Sequence, residues 1–192
     1  HCISSAASDV YKRQETLKRV LEGTAEIGII PSTNPQRFQH IYGEQLTINR
    51  AADMEFLVAL PQRLSHLPAP VRLSALTAET WLLPQRWTEL SGLPELLDHL
   101  WSTAPECKPA TVQEVSTLQT GLPLVAGDYG ISLMPHTAQA LGQRGVHFRR
   151  IEEHLPSMQA LLIHRADRAL TPAAQTLLDV LLDTSSELPP AS

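Results

Sequence analysis

The chain carries eight histidines, and histidine is the side chain that most readily acts as base, acid or metal ligand near neutral pH. His136 has Asp128 and Ser132 close by in sequence. A base, an acid and a nucleophile could support hydrolysis if hydrogen bonds joined them. The spacing argues otherwise: no G-x-S-x-G turn presents a serine, and no H-E-x-x-H pair is present. No His/Cys/Asp set has the separation of a known metal site, and Cys2 and Cys107 lie far apart without companion ligands. No catalytic residue, metal or cofactor is therefore expected. Helix starts offer a different chemistry. Ser116 and Gln119 form an S-x-x-Q capping box, whose side chains satisfy orphan backbone donors. The same donors, with the helix dipole, can hold an anion. Arg86 could grip a carboxylate with two parallel hydrogen bonds or simply be solvated. Trp81 and Trp87 read as packing residues rather than a stacking platform.

Strands and helices alternate around these groups. Leu17, Val20 and Leu21 give residues 15–23 one apolar stripe, and Gly23 stands where a helix needs a left-handed residue after its end. A short buried strand follows from Ala25 to Ile30, ended by Pro31. Residues 32–45 read as loop, with Asn34–Pro35 as turn chemistry. Further strands are expected at Leu46–Asn49, Met54–Leu60, Thr80–Leu83, Thr111–Val115, Gly130–Met134, Val146–Ile151 and Met158–His164. Helices are expected at Leu93–Thr103, from Ser116 through the kinking Pro123, from Pro135 to Leu141, and after the Thr171–Pro172 cap. This alternation predicts an α/β fold with mixed, mostly parallel sheets covered on both faces. Sites in such folds sit at the carboxyl ends of strands. Pro31, Pro84 and Pro135 close three strands there, which suits ligand-facing loops and simple strand termination alike.

Composition narrows the function classes. Of 192 residues, 43% are hydrophobic and 18% charged, enough for a real core and unlike a disordered chain. The formal net charge of −5 argues against nucleic-acid binding by this chain, which needs clustered Lys and Arg. No apolar run reaches the ~18 residues of a membrane span, and no signal peptide is visible. A reducing, cytoplasmic compartment fits the two isolated cysteines. Residues 1–14, HCISSAASDVYKRQ, lack an apolar period and read as a non-native or disordered leader.

The order of segments resembles the effector-binding (substrate-binding) domain of LysR-type transcriptional regulators. EVSTLQTGLPLVAGDYGISLMP, residues 114–135, carries most of the resemblance: a Ser/Thr-led helix ending in Leu-Val-Ala, a glycine turn, Gly-Ile and a strand closed by proline. ETLKRVLEGTAEIGII is similar to the family's helix, glycine and acidic-strand segment. MEFLVALPQRLSHLPAP and TPAAQTLLDVLL are similar to its second-lobe strand and closing helix. Three departures stand out. Asp128 replaces the family's usual turn glycine, Glu26 replaces its usual Asp, and its first strand, first helix and second strand have no counterpart and would precede residue 15.

The resemblance implies a two-lobed, periplasmic-binding-protein-like fold with an incomplete first lobe. Residues 15–48 and 147–185 would form that lobe, 49–146 the second, and 186–192 a tail. It implies a small-molecule effector in the cleft, and a homodimer or tetramer in the intact protein. DNA would be held only by an N-terminal helix-turn-helix domain, with no membrane partner and no cofactor. Carried to matching positions, the ligand-binding candidates are Pro31, Ser32, Pro84, Gln85, Ser116, Thr117 and Pro135. A transport-type solute-binding protein and a small α/β enzyme are the rival readings.

Overall fold

A computed structural model describes residues 9–84, 86, 92–116 and 118–185. Helix α1 (Asp9–Leu21) begins upstream of Glu15, inside the stretch read as a leader. Its stripe buries Leu17 and Val20. Its end is a Schellman motif: Gly23 adopts φ 73°, its N–H donates to Val20 O at 3.0 Å, and Thr24 N–H reaches Arg19 O at 2.9 Å. Strand β1 (Gly28–Ser32) then passes so close to α1 that a Cβ at Gly28 would lie 2.8 Å from Thr16 Cγ2.

The stretch read as loop contains helix α2 (Pro35–Tyr42). Asn34 Oδ1 accepts the Arg37 N–H at 3.0 Å, and Pro35 takes the first helical position, where its missing N–H costs nothing. Asn-Pro is thus a cap followed by a start, not a free turn. Strand β2 (Leu46–Met54) outruns its expected end at Asn49 because a bulge between Arg50 and Ala52 lets pairing resume. Strand β8 (Met158–Arg165) lies between β1 and β2, antiparallel to both. Pro31 does not end β1. It pairs with Ala160 on a strand at the edge of this sheet, where proline's missing donor can point away from the ladder. Leu17, Val20, Ile30, Phe38, Leu46, Leu161 and Ile163 form this sheet's core.

The second layer is built on β3 (Phe56–Pro61), buried at every position. It pairs antiparallel with β6 (Ser132–Pro135) and β7 (Val146–Arg150). Strand β4 (Thr80–Pro84) pairs in parallel with β5 (Thr111–Val115). It meets β6 through a parallel Trp81–Ile131 bridge, with Leu82 N–H donating to Ile131 O at 2.8 Å. Phe56, Val58 and Leu60 share one core with Trp81, Leu97 and Trp101. Ala59 joins the other core with Leu122 and Val125. Those residues come from α3 (Leu93–Thr103) and α4 (Leu118–Ala126).

The sheets are mixed, but the described pairings are mostly antiparallel, a correction to the mostly parallel expectation. The physical reason lies in β2 and β8. Residues β1, α2 and β2 do form a crossover, since both strands run the same way, but β8 inserts between them and runs oppositely. Alternating strands and helices do not reveal such an insertion. Helix α5 (Pro172–Ser185) closes the described chain, packing Ala174 and Leu178 inward. Among the described residues, no helix is long and apolar enough to cross a membrane.

Candidate functional site

The two sheets meet where the chain crosses between them. Only Glu55 separates β2 from β3, and the return runs from Arg150 of β7 to Met158 of β8. Hydrogen bonds fix this junction: His136 N–H donates to Glu55 O at 2.8 Å, and Val71 N–H donates to Arg150 O at 2.8 Å. The Leu73 N–H is shared by both oxygens of Glu153, at 2.9 and 3.0 Å. A groove of about 640 Å³ opens at the crossing, lined from the first sheet by Asp53 and Gln159, from the α2 start by Gln36, from the crossing itself by Glu55, and from the second sheet by Phe56 and Arg150. Glu153, His154 and Ser157 of the return segment complete its polar wall. A second recess beside Glu26 and Arg165 measures about 10 Å³, room for roughly one water.

Strand directions decide where the candidate residues fall. Strands β4, β5 and β6 run the same way, so their ends, Pro84, Val115 and Pro135, share one end of the second layer. Pro84 faces Val115, and Pro135 faces Phe56 at the start of β3, which is the crossing end. In the first sheet Ser32 faces Gln159, and Gln159 faces Asp53, again at the crossing end. Pro31, Ser32, Pro84, Ser116 and Pro135 therefore lie on strand ends that turn toward the junction. Gln85 and Thr117 lie outside the described residues. None of those five described residues lines the groove itself; Thr33, next to Ser32, does.

The hydroxyls differ in freedom. Ser32 is buried, and its Oγ accepts the Asn34 N–H at 3.1 Å, which orders the turn into α2. Ser116 is exposed, with Oγ 3.2 Å from Thr120 Oγ1. The His136, Ser132 and Asp128 grouping does not assemble a catalytic set. Ser132 is fully buried and donates to Leu82 O at 2.7 Å. Asp128 accepts from Arg63 Nε at 2.6 Å, before the start of β6, whereas His136 follows its end. Arg86 is committed to Asp98 through two hydrogen bonds of 2.6 and 3.1 Å. Trp81 donates to Leu76 O at 3.1 Å and packs edge-on against Trp101, as a packing residue does; Trp87 lies outside the described residues. Among the described residues no cluster of His, Cys, Asp and Glu could hold a metal ion.

Sequence reasoning missed the groove's charged residues. Asp53, Glu55 and Arg150 flank strand ends, and the Arg149–Arg150 pair reads as solvated surface. Their one signal is position, charge set beside the breaks between buried strands. Glu26 was visible only as a family departure. Its carboxylate accepts Thr171 N–H at 2.9 Å and Thr171 Oγ1 at 2.8 Å. Those bonds, the backbone one foremost, hold its pKa below the usual carboxylate value.

Residues 9–186 match the family model described as the LysR substrate binding domain. Solved structures with the same fold include the regulatory domain of CcmR from Synechocystis PCC6803 in complex with 2-PG, at 17% identity and a TM-score of 0.71, over 93% of this chain and 82% of that one. The effector-binding domain of QuiR in complex with shikimate matches at 18% identity and a TM-score of 0.71, over 91% and 78%. Full-length CbnR complexed with its target DNA matches at 17% identity and a TM-score of 0.65, over 91% of this chain but 58% of that one. A search of curated proteins finds no match.

Proposed function

The chain belongs to the LysR substrate-binding domain family, and from that premise we propose that it senses a small-molecule effector held between its two sheets. One observation carries the reading: each sheet has its own core, and the candidate strand ends of both point to the junction where the chain crosses twice. A guest touching both halves binds one relative arrangement better than another, and that difference shifts the population. The two similar domains with 2-PG and shikimate support a small metabolite as guest. Pro31, Ser32, Pro84, Gln85, Ser116, Thr117 and Pro135 are the proposed contacts, and the output is a shape change rather than a bond broken.

The pairings suggest moving the proposed lobe boundaries. Residues 9–54 with 158–185 would form the first lobe and 56–150 the second, because β2 pairs with β8 and β7 with β3. In the intact regulator this domain would act in the cytoplasm within a homodimer or tetramer, and DNA would be held by a separate domain, as the full-length CbnR–DNA structure suggests. A thermal-shift screen of metabolites tests the sensing role. Stabilisation grows as RT ln(1 + [L]/Kd), so a specific effector at a hundred times its Kd adds about 2.7 kcal/mol. A broad panel without any shift would overturn the reading.

A further inference from the structure

Building on the effector reading, we infer that the groove at the crossing takes a zwitterionic ligand of the amino-acid type, its carboxylate at Arg150 and its ammonium at Glu55. The groove carries three carboxylates, Asp53, Glu55 and Glu153, against one guanidinium, Arg150, and the imidazole of His154. Two of the carboxylates are committed. Asp53 accepts from Arg50 Nε at 3.1 Å, and Glu153 holds the Leu73 N–H. Glu55 and Arg150 form no side-chain hydrogen bond or ion pair among the described residues, and both are exposed.

Their placement makes them a pair of anchors rather than a pair with each other. Leu57 faces Arg150 across β3 and β7, and side chains alternate along an extended strand. Glu55, two residues before Leu57, and Arg150, the last residue of β7, both line the groove. A guest with one end of each charge fits between such groups. An isolated anion would meet the carboxylates, and an isolated cation would meet Arg150. Gln36 and Gln159 add amide donors and acceptors beside them. Arginine suits the carboxylate end because its fork grips two oxygens at once.

The test uses the whole 192-residue chain and calorimetry with three probe sets: the common L-amino acids, their decarboxylated amines and their deaminated acids. A fourth set, sugar phosphates and aromatic acids, extends the panel. Glu55→Gln is an exposed isosteric change, Arg150→Gln removes an exposed charge and shortens the side chain, Arg144→Gln serves as the control away from the groove, and circular dichroism verifies folding. The expected result is one amino acid that binds at least tenfold more tightly than its own amine and acid. Arg150→Gln then removes the preference over the amine, Glu55→Gln removes the preference over the acid, and the control changes neither. A bare acid or sugar phosphate binding as well as any amino acid, or binding unchanged in both variants, overturns the ligand class while the sensing role stands. No binding in any of the four sets overturns both.

Discussion

Glu26 and Thr171 stand 145 residues apart in sequence and are joined by two hydrogen bonds, from Thr171 N–H and Oγ1 to the Glu26 carboxylate. The Thr171 oxygen also accepts the Ala174 N–H at 3.3 Å, capping α5. One residue thus ties the last described helix to the segment that leads into β1. Thr171→Ala is expected to destabilise by about 1 kcal/mol, the usual value of a lost cap, measured by urea unfolding. Glu26→Gln weakens the same tie at neutral pH. Because the folded-state pKa of Glu26 lies below the ordinary carboxylate value, its contribution is present above that ordinary value and is lost as pH falls through the folded pKa. The difference between wild type and Glu26→Gln should therefore shrink in melting curves taken at increasingly acidic pH.

Phe38 is fully buried on α2, with its ring centroid 5.0 Å from that of Tyr42. Phe38→Ala should cost about 3–5 kcal/mol, read as a fall in the denaturation midpoint with an unchanged slope. A cost below about 1 kcal/mol would mean that this helix does not close the first core.

Phe38 also marks where sequence reading stops. The capped ends and buried runs of α1, β3, β4, α3 and β6 were legible because Gly23, Trp81 and the Leu93-to-Trp101 stripe signal locally. Helix α2 was not, since Phe38 is its single fully buried residue and no apolar period emerges over eight positions. The insertion of β8 between β1 and β2 was illegible for another reason: pairing is a long-range choice, and Met158–Arg165 carries no mark of its neighbours. Of the residues proposed to meet an effector, Ser32, Ser116 and the strand-end prolines follow from the resemblance. Glu55 and Arg150 do not, because charged residues at strand ends look the same in sequence whether they border a groove or open water.

Asp128 adopts φ 64°, the left-handed region that side chains with a branched Cβ avoid. Arg63 bonds this residue and also pairs with Glu79, with Nη1 at 2.8 Å from Oε1. Asp128→Gly relieves the backbone but removes a half-exposed ion pair, itself worth roughly 0–1 kcal/mol, so stability should change by less than about 1 kcal/mol. Asp128→Val has no such relief and should cost about 1–2 kcal/mol or more. Chemical denaturation of the two variants side by side separates conformation from charge.

Cys107 is buried, and its Sγ lies 3.7 Å from Glu153 Oε1. Burial foremost, then the neighbouring Glu153 and Glu106 charges, pushes its thiol pKa up. A thiol is a nucleophile only as thiolate, so Cys107 should resist iodoacetamide in the folded protein at pH 8 and react once the chain is unfolded in denaturant. Peptide mass spectrometry of labelled samples follows it. The same shift makes its contribution present below the ordinary thiol pKa and lost as pH rises through the folded pKa.

Ser116 offers the cleanest separation of binding from folding. It is exposed, and its Oγ meets Thr120 Oγ1 at 3.2 Å, a contact whose loss leaves no buried polar group unsatisfied. Ser116→Ala should therefore shift stability by no more than about 1 kcal/mol. Its hydroxyl stands at the end of β5, beside the end of β4 and before α4, where an effector's polar group would meet it. If it donates to that group, affinity should fall by roughly tenfold, the value of one hydrogen bond to a charged partner. Ser32→Ala is the contrasting variant: its buried Oγ orders the Asn34 turn, so stability and affinity should fall together. Calorimetric titration of both variants with the effector, alongside their melting curves, measures the split. An unchanged affinity in Ser116→Ala would place the guest away from the β5 loop and against the Glu55 side of the junction alone.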